Sequence, residues 1–196
     1  MINWLGVLAV VLCFATSLTL IISRNWLWSI GALAVQYIAV FLLVTTHWSV
    51  GMAVTKLLVG WMAGAVLGSS QMDRENEVEE EQSWPAGRLL RLLASGIVLV
   101  AIFSLSMKTL TWLPGVGLAS IWGGLALIGM GLLQLGMTAQ PFRVILGLLT
   151  LLSGFEIIYA AIEFSLLVTG LLAVINLGLA LIGVFWLNSS RAEINE

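Results

Sequence analysis

Charge is what this sequence is shortest of. Only 9% of its residues are Asp, Glu, Lys or Arg, against about 25% in an ordinary soluble domain. A chain this poor in charge cannot cover itself with a water-compatible surface, which excludes a soluble globular fold. It also offers no basic patch for nucleic acid. The single cysteine, Cys13, lies in an apolar run with no His or Cys beside it, so a disulfide within the chain is excluded and no metal site is expected. The single histidine, His47, stands next to Trp48 and reads as an interfacial ring rather than as a ligand or proton relay. No Ser or Thr is placed with acid-base partners in a triad pattern, and there is no Gly-rich phosphate loop. No catalytic residue and no cofactor is expected on this chain.

What is there instead is hydrocarbon. The chain has 196 residues, 60% of them hydrophobic, with a mean hydropathy of +1.08. Apolar runs of about 20 residues, each long enough to cross roughly 30 Å at 1.5 Å per residue, recur from end to end. The fold class expected is an all-α integral membrane protein, a bundle of about seven transmembrane helices at 2–22, 26–45, 48–67, 89–107, 118–137, 144–164 and 165–187. The first run lacks the basic n-region and cleavage site of a signal peptide and is read as a retained span. Short joints at Ser23-Arg24-Asn25 and Thr46-His47 imply antiparallel hairpins, while Pro114-Gly115 and Gln140-Pro141 break the later pattern. The sixth and seventh spans meet without a turn-rich joint.

One hydrophilic segment divides the chain. It runs from Asp73 to Gln82 and holds most of the acids, as a solvated, self-repelling linker would. The organisation expected is three spans over 1–68, an acidic loop over 69–88, four spans over 89–187 and a short tail over 188–196. Arg24, Arg74, Arg88, Arg91, Arg143 and Arg191 then fall on one side, Lys108 alone on the other, and Lys56 inside. By the positive-inside rule the loop and the C-terminus are cytoplasmic and the N-terminus is outside. Trp4, Trp26, Trp28, Trp48, Trp84, Trp112 and Trp186 lie near span ends, where indoles anchor helices at the interface.

Two charges stand inside apolar runs: Lys56 in the third span and Glu156 in the sixth. An ionisable group in hydrocarbon costs about 3 kcal/mol on insertion scales, so it persists when paired, hydrated or functional. Counted from the outer boundary, Lys56, Gln36, Glu156 and Asn176 lie roughly 12 to 17 Å deep on four different spans and could form one polar layer. Lys and Glu can relay protons when neighbours shift their affinity. Glu163, seven residues after Glu156, would share its helix face and lead outward, with Tyr159 near it. Gln134 could extend the route or bond a neighbouring helix. The bland readings are that Lys56 extends to the interface and that the amides make interhelical hydrogen bonds of about 0.6 kcal/mol each. On the third span Lys56, Gly60, Gly64 and Gly68 follow at intervals of four, a stripe that lets another helix approach closely.

The order of these features resembles the hydrogenase-4 component E family. The residues that carry the resemblance are Trp28-Ser29-Ile30-Gly31 through Gln36, Ala53 to Val59 around Lys56, and Phe142 to Leu148 leading into the span of Glu156, followed by Asn176. The family's members are seven-span membrane proteins whose last three spans are similar to the K subunit of respiratory complex I and the C subunit of Mrp-type sodium/proton antiporters. The resemblance implies an accessory subunit of a proton- or cation-translocating assembly in a prokaryotic cell membrane. Its partners would be antiporter-like membrane chains, with any redox cofactor on other subunits, and its proton-path candidates Lys56, Glu156, Glu163, Asn176 and Gln36. Two departures stand out. The family's acid after the glycine matching Gly147 is displaced about a turn, to Glu156, and the acid of the seventh span is replaced by Asn176, an amide that exchanges no proton under ordinary conditions. A purely structural membrane subunit and a small stand-alone transporter are the alternative readings.

The topology is testable directly. A reporter fused after Glu196 should be active only in the cytoplasm, and cysteines placed between Asp73 and Gln82 should be labelled only from that side; labelling of that loop from outside sealed cells would refute the orientation.

Overall fold

The structure is a computed structural model that describes residues 4–23, 25–72, 85–113 and 115–194. Arg24, Arg74, Trp84 and the acidic stretch 73–82 lie outside the described residues, as do the side chains of Arg88 and Arg191. Seven helices follow in order: α1 Trp4–Ile22, α2 Trp26–Val44, α3 Val50–Met72, α4 Pro85–Trp112, α5 Leu118–Met137, α6 Pro141–Ile162 and α7 Leu166–Ile194. All seven are long and apolar enough to cross a membrane.

Local chemistry sets the helix ends. Asn25 caps α2, its side chain accepting from the Leu27 amide at 2.9 Å, as short polar residues do at that position. Pro141 opens α6, where its missing N–H costs nothing. The sixth and seventh spans, which meet in sequence without a turn-rich joint, are separated by extended backbone at Glu163 and by Ser165, whose carbonyl accepts from the Thr169 amide. Gly115, at φ 109°, makes the turn between α4 and α5; that backbone region favours glycine. Several elements outrun their apolar stretches. α3 continues to Met72, α4 spans Pro85 to Trp112 and α7 reaches Ile194, so the expected loop of 69–88 and tail of 188–196 are partly helical. Hydropathy marks where hydrocarbon ends, whereas i to i−4 bonding continues into the polar region beyond it.

The helices form two facing layers. α2 lies between α1 and α3, α6 lies between α5 and α7, and across the layers α1 packs on α5, α2 on α6 and α3 on α7. α4 stands outside, against α5. The ends of α1, α5 and the starts of α4, α6 share one end of the bundle, where Arg91 donates to the Ile21 carbonyl (3.3 Å) and Arg143 to the Ser23 carbonyl (2.6 Å). These guanidinium groups satisfy carbonyls that the end of α1 leaves without helical partners. At the opposite end are Trp48, Glu163 and Lys108.

The tightest seam is between α5 and α6, and it rests on four glycines at heptad spacing. A Cβ at Gly154 would stand 2.6 Å from the Gly124 carbonyl oxygen, and one at Gly131 would stand 2.9 Å from that of Gly147. Gly124 and Gly131 on one helix therefore meet Gly154 and Gly147 on its antiparallel neighbour, backbone to backbone. The stripe Gly60, Gly64 and Gly68 works otherwise: it receives side chains of α2, namely Tyr37, Leu33 and Ile30, rather than a helix backbone. Trp48 also departs from its expected place. It precedes α3, is buried, and packs edge-on against Tyr159 and Phe164 while its indole N–H donates to the Glu163 carbonyl at 3.2 Å. An indole can seal a helix end when its N–H meets a carbonyl there. Trp4, Trp28 and Trp112 remain exposed near helix ends, as anchors are, whereas Trp186 is exposed about two turns before the end of α7.

Gly154→Ala should destabilise the purified protein by about 1–3 kcal/mol, the usual range for overpacking, whereas Gly31→Ala, which meets nothing within 4 Å, should leave the thermal midpoint unchanged. Equal midpoints for both variants would contradict a backbone-to-backbone seam.

Candidate functional site: a buried Lys–Glu–Asn–Tyr cluster

Between the two layers the apolar side chains sort into two clusters. One, around Val40, Leu43, Trp48 and Ile157, fills the Trp48 end; the other, around Leu33, Leu67, Leu146 and Leu149, fills the arginine end. The polar groups lie where these clusters meet. Lys56 of α3 and Glu156 of α6 are both buried, with about 1% of each side chain exposed, and the Lys56 ammonium donates to Glu156 Oε1 at 2.7 Å. Lys56 does not extend to the interface. In a low-dielectric interior each charge alone would be strongly unfavourable, and at this distance each compensates the other.

Asn176 and Tyr37 complete the cluster. The Asn176 amide donates to Glu156 Oε1 at 2.8 Å, and the Tyr37 hydroxyl donates to Asn176 Oδ1 at 3.2 Å. The orientation of the amide follows from chemistry: a carboxylate only accepts, so the NH2 group must face Glu156 and the oxygen must face the phenol. Three helices thereby direct a cation and two aligned dipoles at one carboxylate oxygen of a fourth, Lys56 directly and Tyr37 through Asn176. The second oxygen, Oε2, is buried and has no hydrogen-bond partner among the described residues. Gly60 gives the Tyr37 ring its place, since a Cβ there would run into that ring. Gly60, one turn from Lys56 on α3, thus serves the site itself.

Gln36 takes a neighbouring position. Its amide donates to the Thr150 hydroxyl of α6 at 3.3 Å, and its own Oε1 is buried without a partner among the described residues. Lys56, Glu156 and Asn176 are therefore joined by direct hydrogen bonds, whereas Gln36 joins α2 to α6 beside them. Glu163 stands apart. It follows the end of α6 in extended conformation, is exposed, and uses its carbonyl to receive Trp48; the face it was expected to share with Glu156 ends at Ile162. Gln134 donates to the Arg143 carbonyl at 2.9 Å and so ties the end of α5 to the start of α6. His47 contacts the Ser120 hydroxyl at 2.9 Å, and partial burial lowers its pKa from the ordinary value.

Tyr37 and Thr150 are the members that sequence reasoning missed. Tyr37 follows Gln36 directly, and a phenol in mid-span needs a partner for its hydroxyl, which was the available signal. Tyr159, singled out instead, stacks on Phe155 with ring centres 6.1 Å apart. Among the described residues no group of His, Cys, Asp and Glu could hold a metal ion.

No protein family, curated protein or solved structure matches this chain.

Removing one member of a buried pair costs about 3–5 kcal/mol because the other charge is stranded. Lys56→Met and Glu156→Gln should each lower the yield and thermal midpoint of the purified protein, and the double variant should recover part of the loss. Strictly additive losses would mean that the two side chains do not interact.

Proposed function

We propose that this chain is an accessory, multi-pass subunit of a complex-I-like or group 4 hydrogenase-like membrane assembly in a prokaryotic cell membrane, and that it contributes a proton-exchanging carboxylate to the assembly's ion path. The observation that carries the reading is the buried Lys56–Glu156 pair, with Glu156 Oε2 left without a hydrogen-bond partner among the described residues. Lys56, Asn176 and, through it, Tyr37 bias Oε1 toward accepting, so a proton reaching the site would be received at Oε2. The pair holds one proton between two groups in either arrangement, ammonium with carboxylate or amine with acid, and both arrangements are neutral overall. A proton added from outside makes the site cationic, which its apolar walls disfavour. Uptake would therefore be coupled to release or to a charge movement in a neighbouring subunit.

The departure at Asn176 fits this reading. With a second carboxylate at that position two acids would face one lysine, whereas the amide both satisfies Oε1 and keeps the site balanced. The arginine distribution supports an outside N-terminus and a cytoplasmic C-terminus; in that orientation the cluster would lie in the outer half of the membrane. Antiporter-like membrane chains are the proposed partners, and redox chemistry would belong to other subunits.

Glu156→Gln keeps the size and removes the exchangeable charge. In the purified, reconstituted complex it should sharply reduce ion translocation while subunit composition and uncoupled electron transfer persist. Asn176→Ala should be milder. Unchanged translocation by a fully assembled Glu156→Gln complex would favour a structural subunit.

A further inference from the structure

On the far side of α5 from the cluster, α4 and α5 do not close along their whole length. Near their middles they touch: a Cβ at Gly129 would stand 2.9 Å from Val98 and 3.2 Å from Ile102. Nearer the arginine end of α5 there is open space, since a Cβ at Gly136 would meet nothing within 4 Å. A groove runs along this contact and past it on α5, lined among the described residues by apolar side chains and glycine, including Val98, Ile102 and Leu105 of α4 and Ile128, Leu132 and Gly136 of α5. It extends along α5 from Leu125 to Met137, about 18 Å at 1.5 Å per residue, which exceeds half of a hydrocarbon core of about 30 Å.

Met137 also belongs to a second, polar pocket at the open end of this groove. That pocket is lined by Arg91, Thr138, Gln140, Pro141 and Arg143. Among the described residues it contains two cations and no acidic residue, together with the N-terminus of the 22-residue helix α6, whose dipole also favours an anion. A slot of about one leaflet's depth thus opens into a cationic cup at the level where helices end.

We propose that the α4–α5 groove and the Arg91–Arg143 pocket together form a binding site for one anionic phospholipid, an acyl chain lying along α5 and the phosphate facing the two arginines. The two halves require different chemistries in a fixed order, apolar then cationic, and a phospholipid carries them in that order. The charge of the cup selects an anionic over a zwitterionic headgroup. The arginines keep their contacts to the Ile21 and Ser23 carbonyls, so a bound phosphate would also brace the end of α1 against α4 and α6.

The test uses the full chain, purified in detergent, stripped of lipid and incubated with phosphatidylglycerol or phosphatidylcholine of identical acyl chains. Retained lipid is read by native mass spectrometry, with thermal midpoints measured in parallel. Phosphatidylglycerol should be retained preferentially and raise the midpoint more. Arg91→Gln should cut that retention by about fivefold, the loss expected for one cation. Gly136→Leu, which fills the groove without meeting protein, should reduce retention of both lipids while leaving the lipid-free midpoint in place. A photo-crosslinker at position 136 in membranes should capture lipid. Equal retention of the two lipids, retention unaffected by Gly136→Leu, or crosslinking of position 136 to a protein chain would overturn the proposal.

Discussion

A lysine and a glutamate 2.7 Å apart inside an apolar bundle constrain everything around them. Neither charge is tolerable alone at that depth, so α3 and α6 must be held in one register, a third helix must supply a further donor to the carboxylate, and a fourth must orient that donor. Both supporting residues sit on helices that flank the pair: Tyr37 on α2 and Asn176 on α7. The facing of α2 on α6 and of α3 on α7 is what lets three helices converge on one oxygen atom of α6. Net stabilisation by such a pair is small after desolvation; its consequence is specificity, because an alternative register would strand a charge.

The glycines set how closely the helices can come to meet that constraint. At the α5–α6 seam they bring two backbones together and fix α6, the helix that carries Glu156. On α3 they do something different, since Gly60 accepts the ring of Tyr37 and so sets the position of the hydroxyl that orients Asn176. Between membrane helices there is no hydrophobic force to drive association beyond what lipid already offers, so close fit and polar contacts must supply it. Both are concentrated around α6.

Much of this was legible in the sequence, and for identifiable reasons. Helix number followed from the length of apolar runs, because in hydrocarbon only internally bonded helices satisfy their backbones. Depth counting put Lys56, Glu156, Asn176 and Gln36 at a similar level, because a helix advances uniformly, but it could not say which of the four would touch. Rotation about each helix axis was not legible by that means. Gln36 and Tyr37 are neighbours in sequence, yet they bond different helices, Thr150 on α6 and Asn176 on α7. Glu163 was expected on the face of Glu156 by spacing, but the helix stops at Ile162 and spacing has no meaning beyond it. The paired heptad glycines of α5 and α6 were visible as letters; their meaning required knowing that the two helices are neighbours.

The central claim is a direct contact between Lys56 and Glu156 in the protein as it sits in a bilayer. Solid-state NMR measures it without altering either residue: with lysine side chains labelled with 15N and glutamate side chains with 13C, the dipolar coupling between the Lys56 ammonium and the Glu156 carboxyl carbon reports their separation. Strong dephasing, corresponding to hydrogen-bonded contact and abolished by Glu156→Gln, is the predicted result. A Lys56 signal with no coupling to any glutamate carboxyl carbon, in protein that is folded in the bilayer, would contradict the account.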